Sequence, residues 1–210
     1  MLYGIGESPV CCGAAPQAVA APRKGLAVLL PGFGYGPDKP LLHYARKAAL
    51  AAGFEVLAVE YGPLPREKSD LARSVRDAFG PALAAAAAQL DRVLAGPPFR
   101  SVFFVSKSFG TLVAGELTAR RPELAAKNFY LTPLPASLPY LAQPGGQRLA
   151  AAGTADPFVT AADRARMRAV LGDRLLVFEG ADHSLEVPGD PLAGVAILEQ
   201  VVAALCGMMR

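Results

Sequence analysis

The sequence predicts an α/β protein of three layers, in which a mostly parallel central sheet is flanked by helices on both faces. Two observations predict it. Short runs rich in Val, Leu and Phe, with no polar alternation, read as strands buried on both faces, and Ala-rich segments dotted with charge separate them at the lengths of crossover helices. The two kinds of segment alternate in order from Gly25 to the C-terminus, the pattern of a parallel sheet rather than of hairpins.

Taken in order, Leu26 to Leu30 is the first strand and ends in Pro31-Gly32. A helix from about Lys39 to Ala52 follows and stops at Gly53. Phe54 to Val59 is the second strand, and Glu67 to Leu94 is helical in pattern, with Gly80-Pro81 marking a break or kink. Val102 to Val105 is the third strand, leading through Ser106-Lys107-Ser108-Phe109-Gly110 into a helix ending near Arg120. Asn128 to Leu131 and Arg148 to Ala152 are further strands. Asp163 to Val170 is a short helix, Leu175 to Phe178 the last strand, and Pro191 to about Met208 the closing helix. Residues 1–24 either add an edge strand or wrap the surface. No internal repeat or interdomain linker is visible, and 210 residues suit one domain.

Composition narrows the function classes. At 52% hydrophobic and 19% charged, the chain reads as a packed globule, and a net charge of +3 names no nucleic-acid partner. The three cysteines, Cys11, Cys12 and Cys206, form neither a disulfide framework nor a CxxC pattern, so a cytoplasmic setting is expected. The uncharged stretch from Ser8 to Pro22 is broken by prolines and makes a poor signal peptide. The uncharged stretch from Asn128 to Gln147 is broken by Pro133, Pro135, Pro139 and Pro144, which argues for a strand and a loop rather than a membrane span. No other stretch reads as a span.

The chemistry points to Ser108. A sharp strand-to-helix turn lifts a central serine above the sheet when small residues stand two before and two after it, here Ser106 and Gly110. The usual pattern has glycine at the first of these, and a plain helix N-cap serine would look similar. A serine hydroxyl needs a neighbouring base. Of the two histidines, His43 lies inside the first helix among Leu41, Leu42 and Tyr44, as an ordinary packed or surface residue would. His183, in Gly180-Ala181-Asp182-His183, follows the last strand and so lies at the carboxyl edge of the sheet, where ligands gather in such folds. Asp156, after the strand before it, is the favoured orienting carboxylate over Asp182, which would have to fold back on its neighbour, and over Glu60.

The order serine, acid, histidine is that of the α/β-hydrolase family. From about Gly25 onward the chain resembles a compact, lidless α/β-hydrolase, on the Leu30 to Gly34 turn, the Ser106 to Gly110 elbow, the Gly153 to Asp156 turn and the Gly180 to His183 loop. It is similar to small bacterial hydrolases with an x-K-S-x-G elbow and to dienelactone-hydrolase-like proteins, whose nucleophile is typically cysteine. The resemblance implies a three-layer α/β-hydrolase fold and a serine hydrolase acting on a small-molecule acyl substrate without cofactor. It implies an oxyanion hole from the backbone N–H groups of Phe33 and Phe109, with Gly32 and Gly34 allowing close approach of substrate. It further implies that residues 132–147 form a short flap whose Leu138, Tyr140 and Leu141 wall an acyl site. Lys107 is read as structural, either paired with a carboxylate such as Glu60 beneath the site or extended to solvent.

Rival readings are weaker. Gly32-x-Gly34 follows a strand, but Pro37 stands where a dinucleotide fingerprint needs its third glycine, and no glycines precede Lys107-Ser108 as a phosphate loop requires. No HExxH arrangement points to a metal. A non-catalytic binding module on the same fold is the alternative from another class. Ester hydrolysis leads the chemistry, with thioester hydrolysis next and lactone or carbon–carbon cleavage behind.

Overall fold

The computed structural model describes residues 22–63 and 71–210. The expectation for residues 1–24 falls almost wholly outside them. Within them, Arg23 begins the fold by bridging in parallel to Phe99.

Six parallel strands form one sheet. They are β1 (Leu26–Leu30), β2 (Glu55–Ala58), β3 (Val102–Lys107), β4 (Lys127–Leu131), β5 (Arg148–Gly153) and β6 (Leu175–Phe178). Their order in space is β2-β1-β3-β4-β5-β6, and among the described residues every pairing of these strands is parallel. All of β1 and all of β3 are buried, which is why both read as unbroken apolar runs.

The helices are α1 (Pro40–Ala51), α2 (Leu71–Leu94), α3 (Phe109–Arg120), α4 (Leu138–Leu141), α5 (Ala161–Leu171) and α6 (Pro191–Met209). Side-chain alternation along β3 divides the interior in two. Val102 and Phe104 pack with Ala82, Ala86 and Leu90 of α2, Leu112 and Val113 of α3, and Met167 of α5. Phe103 and Val105 point the other way, into a core closed by Leu42, Ala45 and Ala49 of α1 and by Ile197, Val201 and Leu205 of α6. Connections of fixed hand put α1 and α3 on opposite faces because the chain moves outward from β1 to β2 in one direction and from β3 to β4 in the other. The loops leaving β1 and β3 therefore diverge, and the crevice they leave is the switch point of the sheet.

Three readings of the sequence change. The helix containing Pro81 runs unbroken from Leu71 to Leu94, because Ala78, Ala82 and Leu83 anchor it to the core on either side of the missing N–H. Helix α5 starts at Ala161, two residues before the expected Asp163, because Thr160 and Asp163 form a reciprocal capping box. Helix α6, at 19 residues and mean hydropathy 1.9, has the length and apolarity of a span, where the sequence was read as offering none beyond Asn128 to Gln147. In the fold its Ile197, Val201, Leu205 and Met208 close the second core, while Leu192 and Val195 are exposed.

Two helical glycines make a controlled comparison. A Cβ on Gly115 would overlap the Tyr140 ring, whereas one on Gly207 would meet nothing within 4 Å. Gly207→Ala is expected to stabilise the protein by about 0.5–1 kcal/mol from helix propensity. Gly115→Ala is expected to destabilise it by about 1–3 kcal/mol through overpacking. Chemical denaturation of both variants checks this, and equal shifts would refute the packing assigned to Tyr140.

Candidate active site

Ser108 occupies the turn between β3 and α3 with φ 51° and ψ −116°, a conformation that L-residues rarely adopt. Its N–H donates to the Leu131 carbonyl at 3.0 Å, and its own carbonyl accepts from the Thr111 N–H at 2.9 Å. The turn closes this tightly because its flanking residues are small. Ser106 is fully buried, and a Cβ on Gly110 would overlap the Leu30 carbonyl, so α3 starts hard against the end of β1.

The same economy of space places His183 and Asp156. A Cβ on Gly153 would overlap the Ala181 carbonyl, and the Ala155 N–H donates to that carbonyl at 2.9 Å. The Thr154 hydroxyl accepts from the Gly180 N–H at 2.8 Å. The loops after β5 and β6 are thus tied together beside Ser108. The His183 Nε2 lies 2.7 Å from the Ser108 Oγ, and its Nδ1 lies 2.7 Å from the Asp156 Oδ2. A carboxylate only accepts, so Nδ1 carries the hydrogen and Nε2 is left to accept from the serine hydroxyl. Asp156 is itself held by the Phe158 N–H, 2.9 Å from Oδ1, and its side chain is fully buried.

Burial pushes the His183 imidazole below its ordinary value of 6.5; the Asp156 hydrogen bond opposes this shift, and the charge of Lys107 reinforces it. The Phe158 ring stands edge-on to the imidazole at 4.8 Å, although Phe158 is itself 44% exposed. Nothing in the sequence marked Phe158. It follows Asp156-Pro157 and acts on His183 through the fold.

Phe33 and Phe109 stack ring on ring, 4.4 Å apart at 17°, and Tyr61 meets Phe109 edge-on at 5.7 Å. These aromatics fix the turn after β1 against the start of α3. Among the described residues neither the Phe33 nor the Phe109 N–H has an acceptor, and Phe109 is the first residue of α3, where a helix leaves its N–H groups free. Gly32 abuts the elbow, since a Cβ there would stand 3.0 Å from the Ser108 Cβ. Gly32 and Gly34 line a cleft of about 420 Å³ with Tyr35, Val59 and Tyr61. A larger cleft of about 530 Å³, lined by Leu41, Leu185, Val187 and Leu198, lies behind the His183 loop, and neither cleft is bordered by Ser108 or His183.

Other sequence expectations are corrected. Leu141 is 2% exposed and belongs to the core, and Tyr140 lies against Gly115 with its hydroxyl donating to Glu116 at 2.9 Å. Leu138 packs on the same core. These contacts hold the segment after β4 onto α3, and Leu141 in particular is closed off from any ligand. Arg148 secures it further by donating to the carbonyls of Gln143 and Gly145. Lys107 neither pairs with Glu60 nor reaches solvent: it is 1% exposed, and its Nζ donates to the Thr132 hydroxyl at 2.6 Å. Glu60 is exposed, with its backbone held by the Gln89 side chain. Asp182 folds its carboxylate onto the N–H groups of Ser184 and Glu186, shaping the His183 loop from within. His43 remains in α1, edge-on to Tyr44. Among the described residues no group of three or more His, Cys, Asp or Glu is placed to hold a metal ion.

A six-stranded parallel sheet with a strained serine at its switch point and a histidine after its last strand defines the α/β-hydrolase fold. Solved structures agree with that assignment. The chain is similar to Est1E from Butyrivibrio proteoclasticus, with TM-score 0.66 and 12% identity over 90% of this chain and 88% of that one. It is similar to an α/β serine hydrolase without lid from Xanthomonas campestris, with TM-score 0.55 and 17% identity over 90% and 85%. It is also similar to a dienelactone-hydrolase-like promiscuous phosphotriesterase from metagenomic libraries, with TM-score 0.63 and 21% identity over 92% and 88%. At these identities the likeness is one of fold. The sequence matches no protein-family model and no curated protein.

The edge-on ring gives a direct test of what sets the imidazole. Phe158→Ala admits water to His183, so its pKa is expected to rise toward the ordinary value. An NMR titration of the imidazole reads the shift, and an unchanged or lowered value would show that the ring contributes nothing to the desolvation.

Proposed function

We propose that this protein is a serine hydrolase that cleaves a carboxylic ester or thioester of a small acyl substrate through an acyl-enzyme. The observation that carries the reading is the unbroken line of two 2.7 Å hydrogen bonds from the Ser108 hydroxyl through His183 to the buried Asp156. The serine hydrolase without lid among the similar structures supports a serine nucleophile.

In this mechanism the Ser108 Oγ attacks the acyl carbonyl carbon as Nε2 of His183 takes its proton. The Asp156 carboxylate holds the imidazole in the needed tautomer and stabilises the imidazolium that forms. Negative charge gathers on the carbonyl oxygen, and the free N–H groups of Phe33 and Phe109 are the donors assigned to it. Losing one such donor typically costs about 3 kcal/mol in the barrier. The tetrahedral adduct collapses as His183 returns the proton to the departing alcohol or thiol. Water then repeats the sequence on the acyl-enzyme and frees Ser108. The cleft beside Gly32 and Gly34 is the assigned place for the acyl group, because it opens on the same turn as the Phe33 donor.

A fluorophosphonate probe followed by mass spectrometry is expected to label Ser108 in the wild type and to leave Ser108→Ala and His183→Ala unlabelled. Asp156→Asn keeps the shape but removes the acceptor that fixes the tautomer, so its labelling is expected to slow by about 10³–10⁴-fold. The base must be neutral and burial lowers its pKa. The labelling rate should therefore hold as pH falls through 6.5 and decline only below it. Folded wild-type protein that takes up no label would sink this reading in favour of a binding role on the same fold.

A further inference from the structure

The residue preceding the nucleophile carries a buried charge that the mechanism above leaves unused. Lys107 is the last residue of β3, and strand alternation turns its side chain to the α1 and α6 side of the sheet, with Phe103 and Val105. A lysine sealed at 1% exposure without a carboxylate in hydrogen-bond contact is costly to keep there. Its surroundings show what it joins. The Nζ donates to the Thr132 hydroxyl at 2.6 Å and stands 4.9 Å from the centre of the Tyr35 ring. Thr132, the residue after β4, has φ 43°, a strained conformation for a branched residue. Tyr35 closes the turn that carries Phe33, since its N–H and carbonyl both pair with Gly32 at 3.2 Å, and its hydroxyl accepts from the Leu41 N–H.

We propose that Lys107 is a positioning residue for the hydrolytic site: its buried ammonium clamps the oxyanion turn to the end of β4 and sets a positive charge behind His183. The proposal rests on the serine-hydrolase reading for its catalytic meaning, but the clamp and the charge are properties of the fold. The ammonium touches the face of Tyr35, an aromatic quadrupole that favours a cation. The charged and titratable groups around it are Tyr35 from the turn after β1, Asp156 from the loop after β5, and Asp182 and His183 from the loop after β6. The carboxylates of Asp156 and Asp182 favour the charged form of Lys107, and burial opposes it, leaving the lysine lowered to about 7. Lys107 and His183 are like charges when both are protonated, so after burial the charge of Lys107 also holds the imidazole's pKa down. As pH falls toward neutrality the lysine gains its proton first and keeps the imidazole free to act as base.

The test pairs two readouts on folded variants, checked by thermal melting. The first is the His183 pKa from an NMR titration, which needs no reaction. The second is the pH dependence of fluorophosphonate labelling at Ser108. Lys107→Met removes the charge while keeping the length of the side chain. Its His183 pKa is expected to rise by about one unit, with the acid limb of the labelling profile moving by the same amount. The plateau labelling rate should fall about tenfold as the oxyanion turn loosens. Thr132→Val, which strips the ammonium of its hydroxyl partner and favours the neutral lysine, is expected to raise the His183 pKa in the same direction. Thr132→Ser should leave it at the wild-type value. If Lys107→Met does not fold, the contrast between the two Thr132 variants decides. An unchanged His183 pKa in folded Lys107→Met, or equal pKa values in the two Thr132 variants, overturns the proposal. A wild type that takes no label while the pKa shifts appear overturns the hydrolase reading and leaves the electrostatic coupling standing.

Discussion

The architecture of the carboxyl edge depends on how closely backbones approach one another there. Gly110 lets the first turn of α3 lie against the Leu30 and Pro31 carbonyls, and Gly153 lets β5 end against the carbonyls of Ala181 and Asp182. A single Cβ at either place would force two loops apart. A few tenths of an ångström there would break a line of hydrogen bonds that tolerates little error, since proton transfer from Ser108 to His183 needs contact distance. The strained backbone of Ser108 belongs to the same constraint. Its unfavourable φ is held by the hydrogen bond to Leu131 on one side and by Thr111 on the other, so the fold, rather than the serine, stabilises the turn.

What the sequence made legible follows from this. Strands buried on both faces announce themselves as unbroken apolar runs, and every strand that could be read so appears within a residue or two of its place. The elbow was legible because a close approach forces small residues at fixed spacing, and His183 and Asp156 because they follow strands whose carboxyl ends share one edge. The contacts of side chains across that edge were not legible. Lys107 looked like a polar residue in need of solvent or a carboxylate, and only its register on β3, relative to Phe103 and Val105, shows that it points into an interior. Tyr140 and Leu141 looked available to a ligand because the resemblance to α/β-hydrolases implies a flap at that place. What decides their fate is Gly115, a position on a different helix whose missing Cβ makes room for the Tyr140 ring. Phe158 carries no pattern at all, since its effect on His183 comes from two loops meeting.

The electrostatics of the site are a balance rather than a single strong pairing. Desolvation favours the neutral imidazole and Asp156 favours the charged one. A base that serves near neutral pH needs both, because burial alone would leave it too weak to accept the proton and the carboxylate alone would leave it protonated when it should be free. Placing a lysine at the back of the site adds a third influence that varies with pH over the same range. The cost of burying that ammonium is offset in part by the Tyr35 face and the Thr132 hydroxyl, which explains why a segment that reads as plain strand ends in a charge.

The packing of the segment after β4 bears on selectivity. With Tyr140 bonded to Glu116 of α3, Leu141 in the core and Arg148 of β5 holding the carbonyls of Gln143 and Gly145, the chain there is tied down at several points. A loop so held cannot close over a substrate without breaking buried contacts, each worth on the order of a kilocalorie per mole or more. Discrimination among acyl groups under the proposed chemistry therefore falls to rigid surfaces, and those nearest the assigned donors are Gly34, Tyr35 and Tyr61. Tyr35 belongs to both arrangements. Tyr35 lines the cleft and its ring also meets the Lys107 ammonium, so the group that positions the oxyanion turn also shapes the wall beside it.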